Sequence, residues 1–417
     1  MMLVILVACS SFLVTLINHI FTPGSTDMGG IIFAGMVISE PEIVKEVLRN
    51  SGKAFPKANP SFYAFHGESL QNMTPAVIAS VETMLEKWKG QEGNENEVFG
   101  EFRLLTSEVI SRTAFGSSYL EGEKIFDMLN KLSIIVGRNI FSTGIPFINK
   151  FWKSADFLES EKLAKEMQEC VMKVVKKREG KVLSGEAESF GNDFPGLHVK
   201  AYRDSNEEKK LSWEELVDEC KTFYFTGEET VNSLLAWIVL LLAIHGDWLE
   251  RARREVIRIF GNQNPHPEGM AKLKTMTMII NETLRLYGPP NGLVREVQLG
   301  KLVLPANIDL LVPNIALHHD PNLWGDDVHL FKPERFAEGI AKATKCNAAA
   351  YIPFGLGPRS CVGMTFATTE TKIALSMILQ RYTITLFPAY VHSPIPVITL
   401  QPQHGIQIIL ASLHNNA

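Results

Sequence analysis

A chain of 417 residues, 46% apolar and 21% charged with a mean hydropathy of +0.04, can bury a large core in one big domain or two intimate ones, which excludes a disordered or fibrous protein. Its net charge of −5 leaves no electrostatic footprint for nucleic acid, and basic runs such as KVVKKREGK are short. Five scattered cysteines, Cys9, Cys170, Cys220, Cys346 and Cys361, show neither CxxC nor zinc spacing and argue against a disulfide framework.

The uncharged run from Met1 to Ile17 is slightly shorter than the roughly 20 residues that span a bilayer. No Lys or Arg precedes it and no small-residue cleavage site follows. Residues 1–21 are therefore expected to form an uncleaved membrane anchor, with a signal peptide or a buried core helix as alternatives, and residues 22–417 the main domain. SEPEIVKEVLRN predicts a short helix with Ser39 as cap and Pro41 in its first turn. Amphipathic stretches predict helices over about 74–89, 98–115 and 160–177, and the Gly-, Ser- and charge-rich residues 178–210 predict the longest loop.

Ser212 and Glu215 form an S-x-x-E capping box that opens a Pro-free helical pattern running to about His245. Its second half, LLAWIVLLLAI, is apolar all round, which marks a helix enclosed by protein. In its middle, TGEET places Gly227 and two carboxylates where a buried helix should be apolar. Buried carboxylates need partners, so something must occupy that notch. Downstream, KTMTMIINETLRLYGPP predicts a helix stopped at Gly288, with Glu282 and Arg285 three apart on one face and packed by neighbouring apolar residues. The N-E-T at Asn281 matches a glycosylation sequon, which inside a packed helix is a chance match.

From Gly292 to Pro313 the pattern turns strand-like in VREVQL, KLVLP and IDLLVP, and TITLF, PVITL and IQIIL close the chain, with PQHG as the turn between the last two. The expectation is a mainly helical α+β fold, a large helical domain with a minor set of short antiparallel strands.

One stretch carries the chemistry. In PFGLGPRSCVG, Gly355 and Gly357 let the backbone approach another group closely, Pro358 stiffens the loop, and Cys361 begins a helix. A sulfur at a helix N-terminus meets unpaired N–H donors and the positive end of the dipole, which favour thiolate. A thiolate in such a loop suits a haem iron.

The pattern F-x-x-G-x-R-x-C-x-G, filled by Phe354, Gly357, Arg359, Cys361 and Gly363, resembles the haem-binding loop of the cytochrome P-450 monooxygenases. Glu282-x-x-Arg285 resembles their E-x-x-R helix, FKPERF their motif whose arginine, here Arg335, completes a salt-bridge triad, and TGEET their acid-alcohol pair, with Glu229 and Thr230 in the two roles. The likeness runs from about Ser39 to the end and resembles the plant clan that includes secologanin synthase and several terpenoid and hormone oxidases.

The resemblance implies a cytochrome P-450 fold holding haem b, with Cys361 as the axial ligand of the iron in a loop that includes Gly355. It also implies Thr230 as the hydrogen-bonding alcohol of the distal face, Glu229 as the proton relay, and Gly227 as the opening of a groove for oxygen. Arg295 and Arg359 are the local candidates for the haem propionates. The implied reaction inserts one oxygen atom from O2 into a lipophilic small molecule. Electrons would come from NADPH through a membrane-bound NADPH-cytochrome reductase, because the chain has no flavin or nicotinamide motif. The implied location is the endoplasmic reticulum membrane, with the catalytic domain facing the cytosol. A haem-thiolate isomerase or dehydratase is the rival reading, against which the Glu229-Thr230 pair speaks, and an inactive binding protein is another.

The chain departs from the family in FPKANPSFYAFHGESL, where a segment of several dozen residues carrying a W-x-x-x-R helix is missing near 60–66, and by the same resemblance it is incomplete near 22–30. None of the six tryptophans has an arginine at the fourth following position. The expectation is weak haem binding and impaired oxidation, as in a degenerate copy or a mis-spliced product.

Overall fold

The computed structural model describes residues 35–37, 68–114, 119–139, 154–186, 190, 199–200, 202–203, 212–289, 292–295, 309–357, 360–397 and 399–413. The expected anchor and the helix capped by Ser39 lie outside them. Eight longer helices are described: α1 (Glu68–Trp88), α2 (Val98–Ala114), α3 (Tyr119–Asn139), α4 (Ala155–Leu183), α5 (Trp213–Ile244), α6 (Gly246–Phe260), α7 (Lys274–Tyr287) and α8 (Met364–Arg381).

Local chemistry explains most of their limits. The Ser212 hydroxyl accepts from the Glu215 amide at 3.1 Å and the Glu215 carboxylate accepts from the Ser212 amide at 3.0 Å, so the capping box opens α5 as expected. α4 starts five residues earlier than its apolar pattern because Ser154 caps the Phe157 amide at 3.1 Å. α1 begins six residues before Thr74 and runs through Pro75. The buried face formed by Met73, Val77, Val81, Leu85 and Trp88 continues across the proline and outweighs the single backbone hydrogen bond it removes. α3 and α6 are additions to the sequence reading. α6 shows a legible stripe, Trp248, Leu249, Ala252, Val256 and Phe260, while Asp247, Glu250, Arg254 and Arg258 are exposed and Arg253 and Glu255 are buried beside the stripe. At the end of α7, a Cβ on Gly288 would meet the Leu284 carbonyl oxygen at 2.2 Å, so the chain turns on a glycine there.

α5 is the spine. Every residue from Leu234 to Leu242 is buried, and the helix packs against α2, α7, α8 and the C-terminal strands. It is long and apolar enough to cross a membrane, yet 78% of its most apolar window is buried inside the protein, as befits a core helix.

The strands are minor. β3 (Gly292–Arg295) pairs antiparallel with β4 (Asp309–Val312), and β1 (Gly35–Val37) adds to β4 as the one parallel pair among the described strands. β8 (Gln407–Ser412) lies between β2 (Glu95–Glu97) and β5 (Tyr382–Leu386), both antiparallel. β6 (Pro394–Pro396) and β7 (Leu400–Pro402) form a separate hairpin, so the stretch read as one strand over PVITL is bent between two. The turn at Pro402–Gly405 joins strands of different sheets rather than a paired hairpin.

Candidate functional site

The cysteine loop is closed by its own backbone. Gly355 and Gly357 adopt φ of 73° and 81°, a left-handed conformation that disfavours a side chain. The Gly355 amide donates to the Ile352 carbonyl at 3.0 Å, and the Ser360 amide and hydroxyl both donate to the Gly357 carbonyl. The Cys361 amide donates to the Phe354 carbonyl at 2.8 Å. Phe354 is half-buried against the core. Cys361 lies three residues before α8, whose cap is Gly363, and its side chain is exposed. A Cβ on Gly363 would sit 3.9 Å from the sulfur, so a larger residue there would cover it.

The expected bias towards thiolate is corrected in sign. The Gly363 and Met364 amides do point at the sulfur, but desolvation by the surrounding loop outweighs them and holds the thiol above its ordinary value. Among the described residues no three His, Cys, Asp or Glu side chains gather as metal ligands, so this sulfur stands as a lone donor. Arg359 lies outside the described residues. Arg295 is placed in β3 opposite Asp309, with its side chain outside the described set.

The notch in α5 is polar as expected, and its residues divide between two sides. Thr226 and Thr230 are exposed on a helix that is otherwise mostly buried, and the Thr230 hydroxyl donates to the Thr226 carbonyl at 2.7 Å. Glu229 is buried and turned towards the C-terminal hairpin, where the Thr399 hydroxyl donates to it at 2.5 Å and the Gln401 side-chain amide also donates. Glu228 is buried beside Arg103, 3.6 Å away. Burial raises both carboxyls, Glu228 to about 8 with the neighbouring Glu229 adding to the shift, and Arg103 pulls each back. Gly227 is not the open groove the resemblance implied. A Cβ on it would fall 2.4 Å from Ile110 Cδ1, so its lack of a side chain lets α2 pack on α5.

The ion-pair motif lies in the fully buried interior. Glu282 and Arg285 are both 0% exposed and form a fork with two 2.8 Å hydrogen bonds. Arg285 also donates to the His318 carbonyl at 2.9 Å, and its guanidinium lies 5.3 Å from the Trp324 ring centre. Glu282 accepts from the Lys332 amide at 2.9 Å and lies 3.5 Å from Arg335 Nε. Arg335 is itself fixed by the Trp324 carbonyl and by Asp327. The three expected residues therefore meet, and Asp327 joins them.

Sequence reasoning missed Thr399, Gln401, Arg103, Asp327 and His318. Only His318 had a local signal, the HHDP run that ends one short helix at His318 and caps the next with Asp320. Thr399 and Gln401 lie about 170 positions from Glu229, and nothing in the spacing connects them.

Comparison with known proteins gives one family. Its model, cytochrome P450, matches residues 57–409. "Cytochrome P450 CYP749A22" of Panax ginseng is 51% identical over 411 residues, with 91% of this chain and 78% of that protein covered. "11-oxo-beta-amyrin 30-oxidase" of Glycyrrhiza uralensis is 40% identical with 91% and 79% covered, and "7-deoxyloganic acid hydroxylase" of Catharanthus roseus is 41% identical with 84% and 70% covered. Two solved structures share the fold: retinoic acid bound cyanobacterial CYP120A1, at 24% identity and a TM-score of 0.72, covering 85% of this chain and 77% of its own, and the heme domain of cytochrome P450DA, at 22% and 0.75, covering 91% and 87%. The ginseng alignment spans 411 positions but uses 91% of the 417 residues here, so that relative carries additional residues inside the matched span.

Proposed function

The chain belongs to the cytochrome P450 family and is a haem monooxygenase of that type, and from that premise we propose that Cys361 is the iron ligand and that Thr230 and Glu229 serve the oxygen-facing side. The residues fit the group. A lone exposed sulfur in a glycine-built loop, with two amides aimed at it, is the donor set a haem-thiolate site requires. Bound there, haem b would supply oxygen activation, with electron density pushed from the thiolate to favour O–O cleavage.

The protein's own groups set the rest. Thr226 and Thr230 present two hydroxyls one turn apart on the exposed strip of α5. Because Thr230 donates its proton to Thr226, the outward side of its oxygen is an acceptor. Burial raises the Glu229 carboxyl above its ordinary range, and Thr399 and Gln401 orient it, which suits a group that stores and passes a proton. The fully buried Glu282 and Arg285, with the partly buried Arg335 beside them, form a structural clamp.

The substrate is read as a lipophilic small molecule of terpenoid type, supported by the names of the two oxidising relatives. Electrons would arrive from NADPH through a membrane-bound reductase, with residues 1–21 as the anchor in the endoplasmic reticulum and the haem domain facing the cytosol.

The geometry of the Cys361 loop carries this reading. The ferrous carbon monoxide spectrum tests it: the full chain should show the thiolate-type band and Cys361→Ala should lose it completely. A Cys361→Ala protein that keeps the band overturns the assignment. Consumption of NADPH and O2 with a partner reductase separates a monooxygenase from an isomerase or dehydratase, which needs neither.

A second reading, weak haem retention, is favoured by one observation. Glu370 on α8, the helix that follows Cys361, is 0% exposed, and neither carboxyl oxygen has a hydrogen-bond partner among the described residues. Desolvation alone pushes it well above the usual carboxylate range. A relative with additional residues has chain from which such a partner could come.

A further inference from the structure

His318 sits between the ion-pair helix and the cysteine loop. It is 1% exposed, and its Nε2 accepts from the Ile352 amide at 3.0 Å. An imidazole nitrogen that accepts carries no proton, so the ring proton is on Nδ1, where it is donated to the Leu284 carbonyl of α7. The backbone carbonyl of the same residue accepts from Arg285. Ile352 in turn receives the Gly355 amide on its carbonyl, and Phe354, two residues on, receives the Cys361 amide. Hydrogen bonds joined by short stretches of covalent chain therefore link the buried Arg285 through His318 to the backbone that carries the sulfur.

We propose that His318, protonated on Nδ1 and accepting at Nε2, is a positioning residue that fixes the cysteine loop to α7. The loop needs such an anchor. Its two left-handed glycines lower the cost of the turn but also leave the unfolded chain with more freedom to lose, so the loop is held by what it bonds to. The ring also packs 5.4 Å from Tyr351, whose hydroxyl donates to the Asn281 carbonyl of α7 at 2.9 Å, giving a second tie between the same two segments. Burial and the charge of Arg285, with His319 adding, hold His318 neutral down to about pH 3. Its acceptor therefore stays available to Ile352 across the physiological range. A protonated ring would place an N–H against the Ile352 N–H.

The role gains functional meaning from the reading of Cys361 as the iron ligand, but its test does not depend on that reading. Two amide side chains separate the two hydrogen bonds. His318→Gln puts a carbonyl oxygen near the Nε2 position, whereas His318→Asn stops at the Nδ1 position and leaves the Ile352 amide without an acceptor. Hydrogen exchange is measured by mass spectrometry on the full chain purified without added haem. The Asn variant should exchange the amides of Ile352, Gly355 and Cys361 about fivefold faster than wild type, the scale of one lost hydrogen bond of about 1 kcal/mol. The Gln variant should stay close to wild type, with α7 and the middle of α8 unchanged in both. Equal loop exchange in the two variants, or a rise of equal size in α7 and α8, overturns the proposal. Failure of the haem reading would appear in the Cys361→Ala spectrum and leave these rates untouched.

Discussion

Glu228 and Glu229 show how far a single residue's surroundings can move its chemistry. Two adjacent carboxyls on the core helix face different partners, Arg103 for one and the Thr399–Gln401 pair for the other, yet both are held above the ordinary range because burial dominates. Glu228 rises from 4.5 to about 8, so between those values the folded chain binds more protons there than the unfolded chain. Stability from this group is therefore complete below about pH 4.5 and is lost as pH rises through about 8. Glu228→Gln should flatten that decline, and melting temperatures at pH 5 and pH 8 check it. A decline as steep as in wild type would exclude Glu228 as its source. Thr230 makes a second prediction: in the haem-loaded protein with a reductase, Thr230→Ala should lower product formed per NADPH several-fold and release peroxide while haem content stays level. The identities of Glu229 and Thr230 were legible in TGEET. The orientation of Glu229 was not, because both of its partners sit on a hairpin about 170 residues away.

Among the elements, the α2–α5 contact turns on a glycine. A Cβ on Gly227 would lie 2.4 Å from Ile110 Cδ1 and 2.8 Å from Cγ1, so the Ile110 side chain or the helix spacing must shift. Gly227→Ala should therefore cost about 1–3 kcal/mol of stability from overpacking, against about 1 kcal/mol gained in helix propensity. In an Ile110→Ala background, where the clashing atoms are gone, the same substitution should turn neutral or stabilising; denaturant titration of the four chains gives the coupling. Equal effects in both backgrounds would show that the contact does not set the cost. Element limits show the same division between local and distant causes. The box at Ser212 and the stop at Gly288 are short-range chemistry and could be read directly. The passage of α1 through Pro75 could not, because what holds the helix together there is its buried face on the core.

At the scale of the whole molecule, the cysteine loop, the ion-pair cluster and the spine α5 are three parts of one core, and the chain is shorter within the matched span than the ginseng relative. Grafting the relative's additional residues into this chain should raise haem occupancy of the purified protein several-fold, measured as haem absorbance per protein; equal occupancy with and without them would show that the shorter chain binds haem without help. The sequence by itself determined the family, the helical class, the place of Cys361 at the loop-to-helix junction and the three charged residues of the clamp. Each of these rests on residue types at short fixed spacings, which physical chemistry links to one local geometry. Only the tertiary structure decided which way Glu229 faces, that Gly227 serves packing, that desolvation outweighs the amides at Cys361, and that His318 ties the loop to α7. Those outcomes depend on groups far apart in the chain, and burial, which sets their pKa and their hydrogen-bond partners, exists only once the chain has folded.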